Sequence, residues 1–546
     1  MTTIELDALV VGAGFGGIYQ LHRLVKEGLR CKTVEVAGGV GGTWYWNKYP
    51  GCMSDSWSVI YRYSWDKDDL QNYQWPNNYV TRDEIIGYLN HVVDKHELRK
   101  YMQFNTALTS AEWKNDRWAV TCSSGVVYSV KYLFTALGLL SHPKYPDIPG
   151  ISNTKFLGKL MHGSSWDPSI DLKGKRVGVI GCGSTGIQIT TAIADDVKEL
   201  HCFIRHPQYT TPSGLRPVPP DERKRINETY EKIWDENFNS ALAFAFTEAT
   251  RETSSGLTVI QKVSEEEREQ ILEDLWQQGN GFNFLFGGFG DTMSNEEANE
   301  EVCKFIRRKI AQTVKDPAKA AVLTPHDLFV RRPPCDNGYY DKFNREHVFA
   351  IDVKTHPIVA VEEKGLRTAD GKIHELDVIV FATGFDAVDG SYQAISGGIK
   401  GRDGALLSER WRSGPTTYLG LMVPEFPNLF LVNGPQGVFA NQPTGIEAQV
   451  NFVMEILTEM EARDADVVEA TAEAGAQWVE LCNSVATHTL FNRVRSWVTG
   501  ANVAGKEHQT RFYFGGVKSY LAILDEIRAN RYKTLGFAHS EPQAQL

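Results

Sequence analysis

The sequence predicts an α/β protein built from two Rossmann-like dinucleotide-binding domains with a mainly helical insertion. Three observations carry this. A glycine motif, Gly12-Ala-Gly14-Phe15-Gly-Gly17, follows the apolar run Leu6–Val11 and precedes apolar residues at helical spacing (Ile18, Leu21, Leu24, Val25). The same grammar returns at Gly181-Cys-Gly183-Ser184-Thr185-Gly186, after Arg176–Ile180 and before Ile187, Ile189 and Ile193. Between Pro207 and Pro325 the chain turns charged and helix-periodic, as in Ser264–Trp276 and Asn295–Val314. Two strand–turn–helix openings far apart imply two doubly wound units.

Each motif carries its own chemistry. Glycines serve where the turn is tight, where backbone must approach a pyrophosphate, and where helix packs on strand; the helix N-terminus then faces the anion. Glu35 stands 18 residues beyond Gly17, where an acid accepts hydrogen bonds from a ribose diol. After the second motif, the strand His201–Arg205 ends instead in arginine, 19 residues beyond Gly186. A carboxylate there would repel a 2′-phosphate, whereas a guanidinium pairs with it in bidentate fashion. FAD at the first site and NADPH at the second is the simplest assignment. The glycine-rich turn Gly38–Gly42, with Thr43, Trp44 and Asp55 beyond it, suits a flavin laid against backbone, or equally an aromatic core loop.

Composition narrows the field further. At 546 residues the chain is too long for one core, and 42% hydrophobic with 23% charged residues is the globular average. A net charge of −11 demotes nucleic-acid and anionic-membrane binders. Eight cysteines (31, 52, 122, 182, 202, 303, 335 and 482) form no CxxC pair and no zinc spacing, so no metal is expected and a reducing compartment fits. No apolar run approaches the roughly 20 residues that span a bilayer, and Gly12 falls where the apolar part of a secretory leader would lie. The expectation is a cytoplasmic protein acting on a small molecule, with no nucleic-acid, membrane or obligate protein partner. Disulfide reductases also pair two dinucleotides, but need a redox cysteine pair, and Cys52 and Cys182 have no near partner. Electrons must leave the flavin another way, with oxygen as the obvious acceptor.

The stretch Phe156-Leu-Gly158-Lys-Leu-Met-His162-Gly-Ser-Ser-Trp166-Asp167 resembles the FxGxxxHxxxW fingerprint of type I Baeyer–Villiger monooxygenases. Arg331–Tyr340, Ala382–Gly390, Asn433–Asn441 and Ser496–Asn502 are similar to further stretches of that family, so the resemblance spans nearly the whole chain. It implies that NADPH reduces FAD and that a C4a-peroxyflavin formed with O2 inserts one oxygen beside a ketone carbonyl, giving an ester or lactone. The alternative is a related flavin-containing monooxygenase acting on nitrogen or sulfur, whose fingerprint usually lacks the tryptophan seen at Trp166.

By the same resemblance, Arg332 matches the active-site arginine and Asp55 the acid that positions it. Arg205 and Arg331 match the residues gripping the 2′-phosphate, Trp497 and Asn502 a mobile loop closing over the nicotinamide cofactor, and His162 and Trp166 a linker coupling domain motion to turnover. The expected FAD contacts are Gly12, Gly14, Phe15, Gly17, Glu35, Gly42, Thr43, Trp44, Asp55, Tyr61 and Asn441. The expected NADP contacts are Gly181, Gly183, Ser184, Thr185, Gln188, Arg205, His206, Arg331, Arg332, Trp497 and Asn502. Leu139, Leu140 and Phe439 are the expected substrate-pocket residues, together with Gly281–Phe289, read as part of a packed loop over 279–290. The chain departs from the family pattern at Arg331 (commonly Lys), His206 (commonly Thr), Asp167 before Pro168, and Ala504 (usually Pro). His206 leaves the strength of the phosphate grip open.

The expected division is 1–140 (FAD domain, first part), 141–208 (NADP domain, first part), 209–328 (helical insertion), 329–381 (NADP domain, second part) and 382–546 (FAD domain, second part), with the mobile loop near 490–508.

Overall fold

The computed structural model describes residues 3–152, 155–240, 259–503 and 505–539. Ala504 and residues 241–258 of the expected helical insertion lie outside them.

The first glycine motif sits where three parallel strands end together. Strand β1 (Thr3–Val11) pairs with β2 (Cys31–Val34) on one side and β3 (Val127–Thr135) on the other, so Val11 faces both Val34 and Thr135. These strands belong to an eight-stranded sheet. Leu108–Lys114 and Arg117–Cys122 extend it as an antiparallel meander from β3, and Leu429–Leu431 returns from far along the chain to pair parallel with β3. Helix α1 (Phe15–Lys26) covers the sheet with Ile18, Leu21 and Leu24, all fully buried. Each such side chain contributes roughly 1.5–3 kcal/mol by leaving water.

The second motif repeats the arrangement in a five-stranded, all-parallel sheet. Strands β4 (Lys159–His162), β5 (Arg176–Ile180), β6 (Glu199–Ile204), β7 (Val348–Asp352) and β8 (Val378–Phe381) lie in the order β7-β6-β5-β8-β4. Helix α2 (Ser184–Ile193) follows β5. Phe381 is in register with both Ile180 and His162, so the fingerprint histidine emerges at the same sheet end as Gly181. Ligands of open parallel sheets bind at that end.

The helical stretch forms where caps and periodicity agree. Ser264 and Glu267 make a reciprocal capping box at the start of Glu265–Gln278, and the Asn295 side chain caps Glu296–Thr313. One expectation is corrected: within the supposed loop 279–290, residues Gly281–Phe286 form a short helix. Asn280, at φ 75°, turns its side chain to accept the Phe282 amide, a local cap that a glycine-rich reading overlooks. Gly281 is required there, because a Cβ would come within 2.7 Å of Pro333, beside Arg332. Among the described residues no helix is long and apolar enough to cross a membrane, and all eight cysteines are free and buried.

Candidate active site

The first glycine turn leaves no room for a side chain at Gly12 or Gly17. A Cβ on Gly12 (φ +108°) would overlap the Ala136 carbonyl, and one on Gly17 the Gly12 carbonyl. Gly14 and Gly42 face each other so closely that a Cβ on Gly42 would sit 3.1 Å from the Gly14 Cα. The Gly41 amide donates to the Ala13 carbonyl at 2.9 Å, tying the two glycine turns together. At the end of β2, the Glu35 carboxylate accepts the Ala13 amide at 2.6 Å and the Ala37 amide at 2.7 Å. Burial raises the Glu35 pKa against the opposing pull of these amides. Each of its oxygens keeps a lone pair for a ribose hydroxyl. Glycine faces open to backbone approach and an acid anchored at the rim fit an adenine dinucleotide with an unphosphorylated ribose.

Around this cradle the aromatics lock one another. The Trp44 indole donates to the Tyr61 hydroxyl at 3.0 Å, and the Phe15 ring packs edge-on against Tyr61 at 5.4 Å. The Tyr63 hydroxyl donates to the Phe15 carbonyl at 2.7 Å. Thr43 opens the short helix Thr43–Trp46. Asn441 stands at the N-cap of helix α3 (Gln442–Ala462), and its side-chain nitrogen donates to the Ile60 carbonyl at 2.8 Å; its side-chain oxygen is buried without a donor, a group that a bound ligand would satisfy.

The second turn has the same construction and one difference. Cβ atoms on Gly181 (φ +105°) and Gly186 would crowd the carbonyls of Ala382 and Gly181, but one on Gly183 would meet nothing within 4 Å. Gly183 thus leaves open space at the helix N-terminus, as an approaching pyrophosphate requires. Cations gather near it. His206 lies in the fields of Arg205 and Arg331, and its pKa is held below the usual imidazole value by burial first and then by these charges. Burial and Arg205 likewise push the Lys144 pKa down. Arg331 is paired with Asp327. Mutually repelling cations in one place fit a dianionic 2′-phosphate. Gln188 and Thr185 instead face the first domain: Gln188 accepts the Tyr49 hydroxyl at 2.9 Å and donates to the Met53 carbonyl at 3.1 Å, and Thr185 donates to the Tyr49 hydroxyl at 3.5 Å. Nothing local in the sequence marks Tyr49, because one tyrosine in an aromatic run carries no signal of its own.

Arg332 and Asp55, 277 residues apart in sequence, meet at 2.5 Å between Nη2 and Oδ1. Burial would lower the Arg332 pKa, but the Asp55 carboxylate more than offsets it, so the guanidinium stays charged. The Asp55 side chain is 11% exposed and that of Arg332 35%, so the acid is the anchor and the arginine keeps an open face. The guanidinium also lies 5.9 Å from the centre of the Phe282 ring, within cation–π range.

Leu139, Leu140 and Phe439 come together in one apolar cluster with Val388, Phe491, Trp497, Phe512 and Phe514. Phe282 and Phe286 stack at 6.3 Å on the short helix, and Phe282, like Phe289, is buried within the main core. The fingerprint divides into packing and connection. A Cβ on Gly158 would come within 2.6 Å of the buried Phe156 ring, and Trp166 is 7% exposed in the main core. His162 faces Ser164 with Nδ1, and its Nε2 lies 3.1 Å from the Gly384 carbonyl. With its pKa lowered by burial, it is a neutral ring donating from Nε2.

A family model described as flavin-binding monooxygenase-like matches residues 7–208. Cyclohexanone 1,2-monooxygenase from Acinetobacter sp is 43% identical over 97% of this chain and 96% of its own length. Phenazine N-monooxygenase from Lysobacter antibioticus is 42% identical over 99% and 98%. The crystal structure of cyclohexanone monooxygenase from Rhodococcus sp. Phi1 bound to NADP+ superposes with a TM-score of 0.95 at 44% identity, covering 98% of this chain and 100% of that one. The chain therefore belongs to the Baeyer–Villiger monooxygenases, flavoproteins that use FAD, NADPH and O2 to insert one oxygen atom beside a ketone carbonyl.

Proposed function

We propose that Arg332, anchored by Asp55, stabilises the negative charge that develops on oxygen as a small uncharged ketone is attacked. The observation that carries this reading is the 2.5 Å pair between them, with the guanidinium left partly open and set over Phe282. FAD held at the first glycine turn would, once reduced by NADPH, supply the electrons that activate O2. A guanidinium is charged at any working pH and presents a planar fork, so it meets developing oxyanion charge without reorganising. Asp55 holds that fork in one place by a charge-assisted bond. Glu35 holds the unphosphorylated ribose of FAD, and Arg205 with Arg331 and His206 the phosphorylated ribose of NADPH. Leu139, Leu140 and Phe439 form an apolar wall that excludes water from the ketone. The two separate sheets support the division into paired FAD and NADP segments with a helical insertion. Eight free, buried cysteines support a cytoplasmic setting.

The test is product analysis after incubation with NADPH, O2 and ketones of graded size. Esters or lactones are expected, and their absence across the panel contradicts the reading. The name of the Lysobacter relative supports including a heteroaromatic amine; N-oxide as the main product would favour nitrogen oxidation instead.

A further inference from the structure

We propose that Lys506, through its ion pairs with Asp386 and Asp389, positions the segment around Trp497 and Asn502 against the nicotinamide side of the site. The proposal rests on the reading that Trp497 and Asn502 belong to that site. Lys506 Nζ lies 2.6 Å from Asp386 Oδ1 and 2.8 Å from Asp389 Oδ2. Arg511 Nε lies 3.4 Å from the other oxygen of Asp389. Two acids meet two bases in a cluster that is nearly enclosed: Lys506 and Asp386 are 17% and 18% exposed, Arg511 and Asp389 1% and 2%. Away from water such pairs are strong and intolerant of losing one member.

Position makes the cluster more than a packing device. Asp386 and Asp389 lie just past β8, on a segment gripped by several distant parts of the chain. His162 and the Lys144 amide both bond the Gly384 carbonyl, the latter at 2.9 Å. The Asn502 side chain donates to the Phe385 carbonyl at 2.9 Å, and Lys144 Nζ bonds the Asn502 carbonyl. The Asn502 side-chain oxygen is buried and has no donor, so it is left free for a ligand. At the far end of the segment the Arg511 guanidinium packs over Gly500 (φ +71°), where a Cβ would approach Nη2 to 2.8 Å. The two hydrogen bonds at Asn502 hold a single residue; the ion cluster ties the segment to Asp386 and Asp389 through Lys506 and through Arg511, which packs over Gly500. Lys506 thus acts through Asn502 and Trp497, as a positioning residue.

The experiment uses the FAD-loaded enzyme and NADP+ as probe. Lys506→Met should raise the NADP+ dissociation constant about tenfold. It should also abolish the slowing of amide hydrogen exchange over 497–511 that NADP+ produces in the parent. The KM for NADPH should rise while flavin reduction at saturating NADPH stays near parental. Lys506→Arg should restore binding to within about threefold of the parent, and Asp386→Asn, which keeps the Asp389 pair, should fall between. Parental affinity and parental protection in Lys506→Met would overturn the proposal. So would equal loss in Lys506→Met and Lys506→Arg with a lowered melting temperature before NADP+ is added, because the residue would then be structural only. A parent that binds NADP+ without any slowing over 497–511 would remove the reading of Trp497 and Asn502 and this proposal with it.

Discussion

Gly17 stands directly over the carbonyl of Gly12, so close that a Cβ on Gly17 would overlap the oxygen beneath it. Gly186 stands in the same way over Gly181. Gly183 differs, since its Cβ would point into open space. Gly17→Ala and Gly186→Ala should therefore destabilise the fold by about 1–3 kcal/mol or more through overpacking. Gly183→Ala should melt like the parent yet raise the NADPH KM about tenfold, because the methyl would take space the pyrophosphate needs. Melting curves beside NADPH kinetics check the contrast; a Gly183→Ala enzyme with parental KM would remove the second turn from the cofactor site.

Arg205 should set the choice of nicotinamide cofactor. Losing a charge-assisted contact to phosphate costs about 1.5–3 kcal/mol, or roughly 10–100-fold. Arg205→Ala should raise the NADPH KM by that factor and change the NADH KM less than about threefold. Steady-state kinetics with both cofactors measures it, and equal effects would speak against a 2′-phosphate contact.

His206 adds a pH term to the same grip. Burial and the neighbouring arginines hold it neutral at pH 7, below its ordinary value of 6.5. As pH falls it gains a proton and becomes a further cation facing the 2′-phosphate. The NADPH KM should fall on acidification below about pH 6.5, and His206→Thr should abolish that fall. KM profiles of parent and variant across pH 5.5–8 decide it.

Glu447, 2% exposed on α3, accepts the Ser64 amide at 2.7 Å and the Ser64 hydroxyl. Burial pushes its pKa from 4.5 up to about 7. The folded state therefore holds a proton that the unfolded chain releases, a contribution fully present below about pH 4.5 and lost as pH rises to about 7. The difference is at most about 3 kcal/mol. Glu447→Gln keeps the hydrogen bonds without the charge, so its melting temperature should gain on the parent between about pH 4.5 and 7 and level off above that. Parallel melting profiles would show that Glu447 does not titrate there.

How much was legible in the sequence follows from where the physics is local. Both glycine turns, Glu35 and Arg205 were readable because a turn, a strand end and a spacing lie within some 25 residues of chain. The short helix Gly281–Phe286 was not, because its cap is the side chain of Asn280 at positive φ and its packing depends on the distant Pro333. Arg332 and Asp55 were reached only through resemblance, since nothing local in Arg-Pro-Pro announces a partner 277 residues away. Lys506 with Asp386 and Asp389, and Glu447 with Ser64, are charged residues whose burial only the tertiary fold creates.

The most direct test of the account is oxygenated product formed by Arg332→Ala at saturating NADPH and ketone. The variant should bind FAD and still consume NADPH in reducing it, while ester or lactone formation falls about 10²–10³-fold. Arg332→Lys should fail similarly, because it keeps the charge without the planar fork, and Asp55→Ala should lose less. Near-parental product formation by Arg332→Ala would contradict the central claim and return Arg332 to the role of a loop residue paired with Asp55.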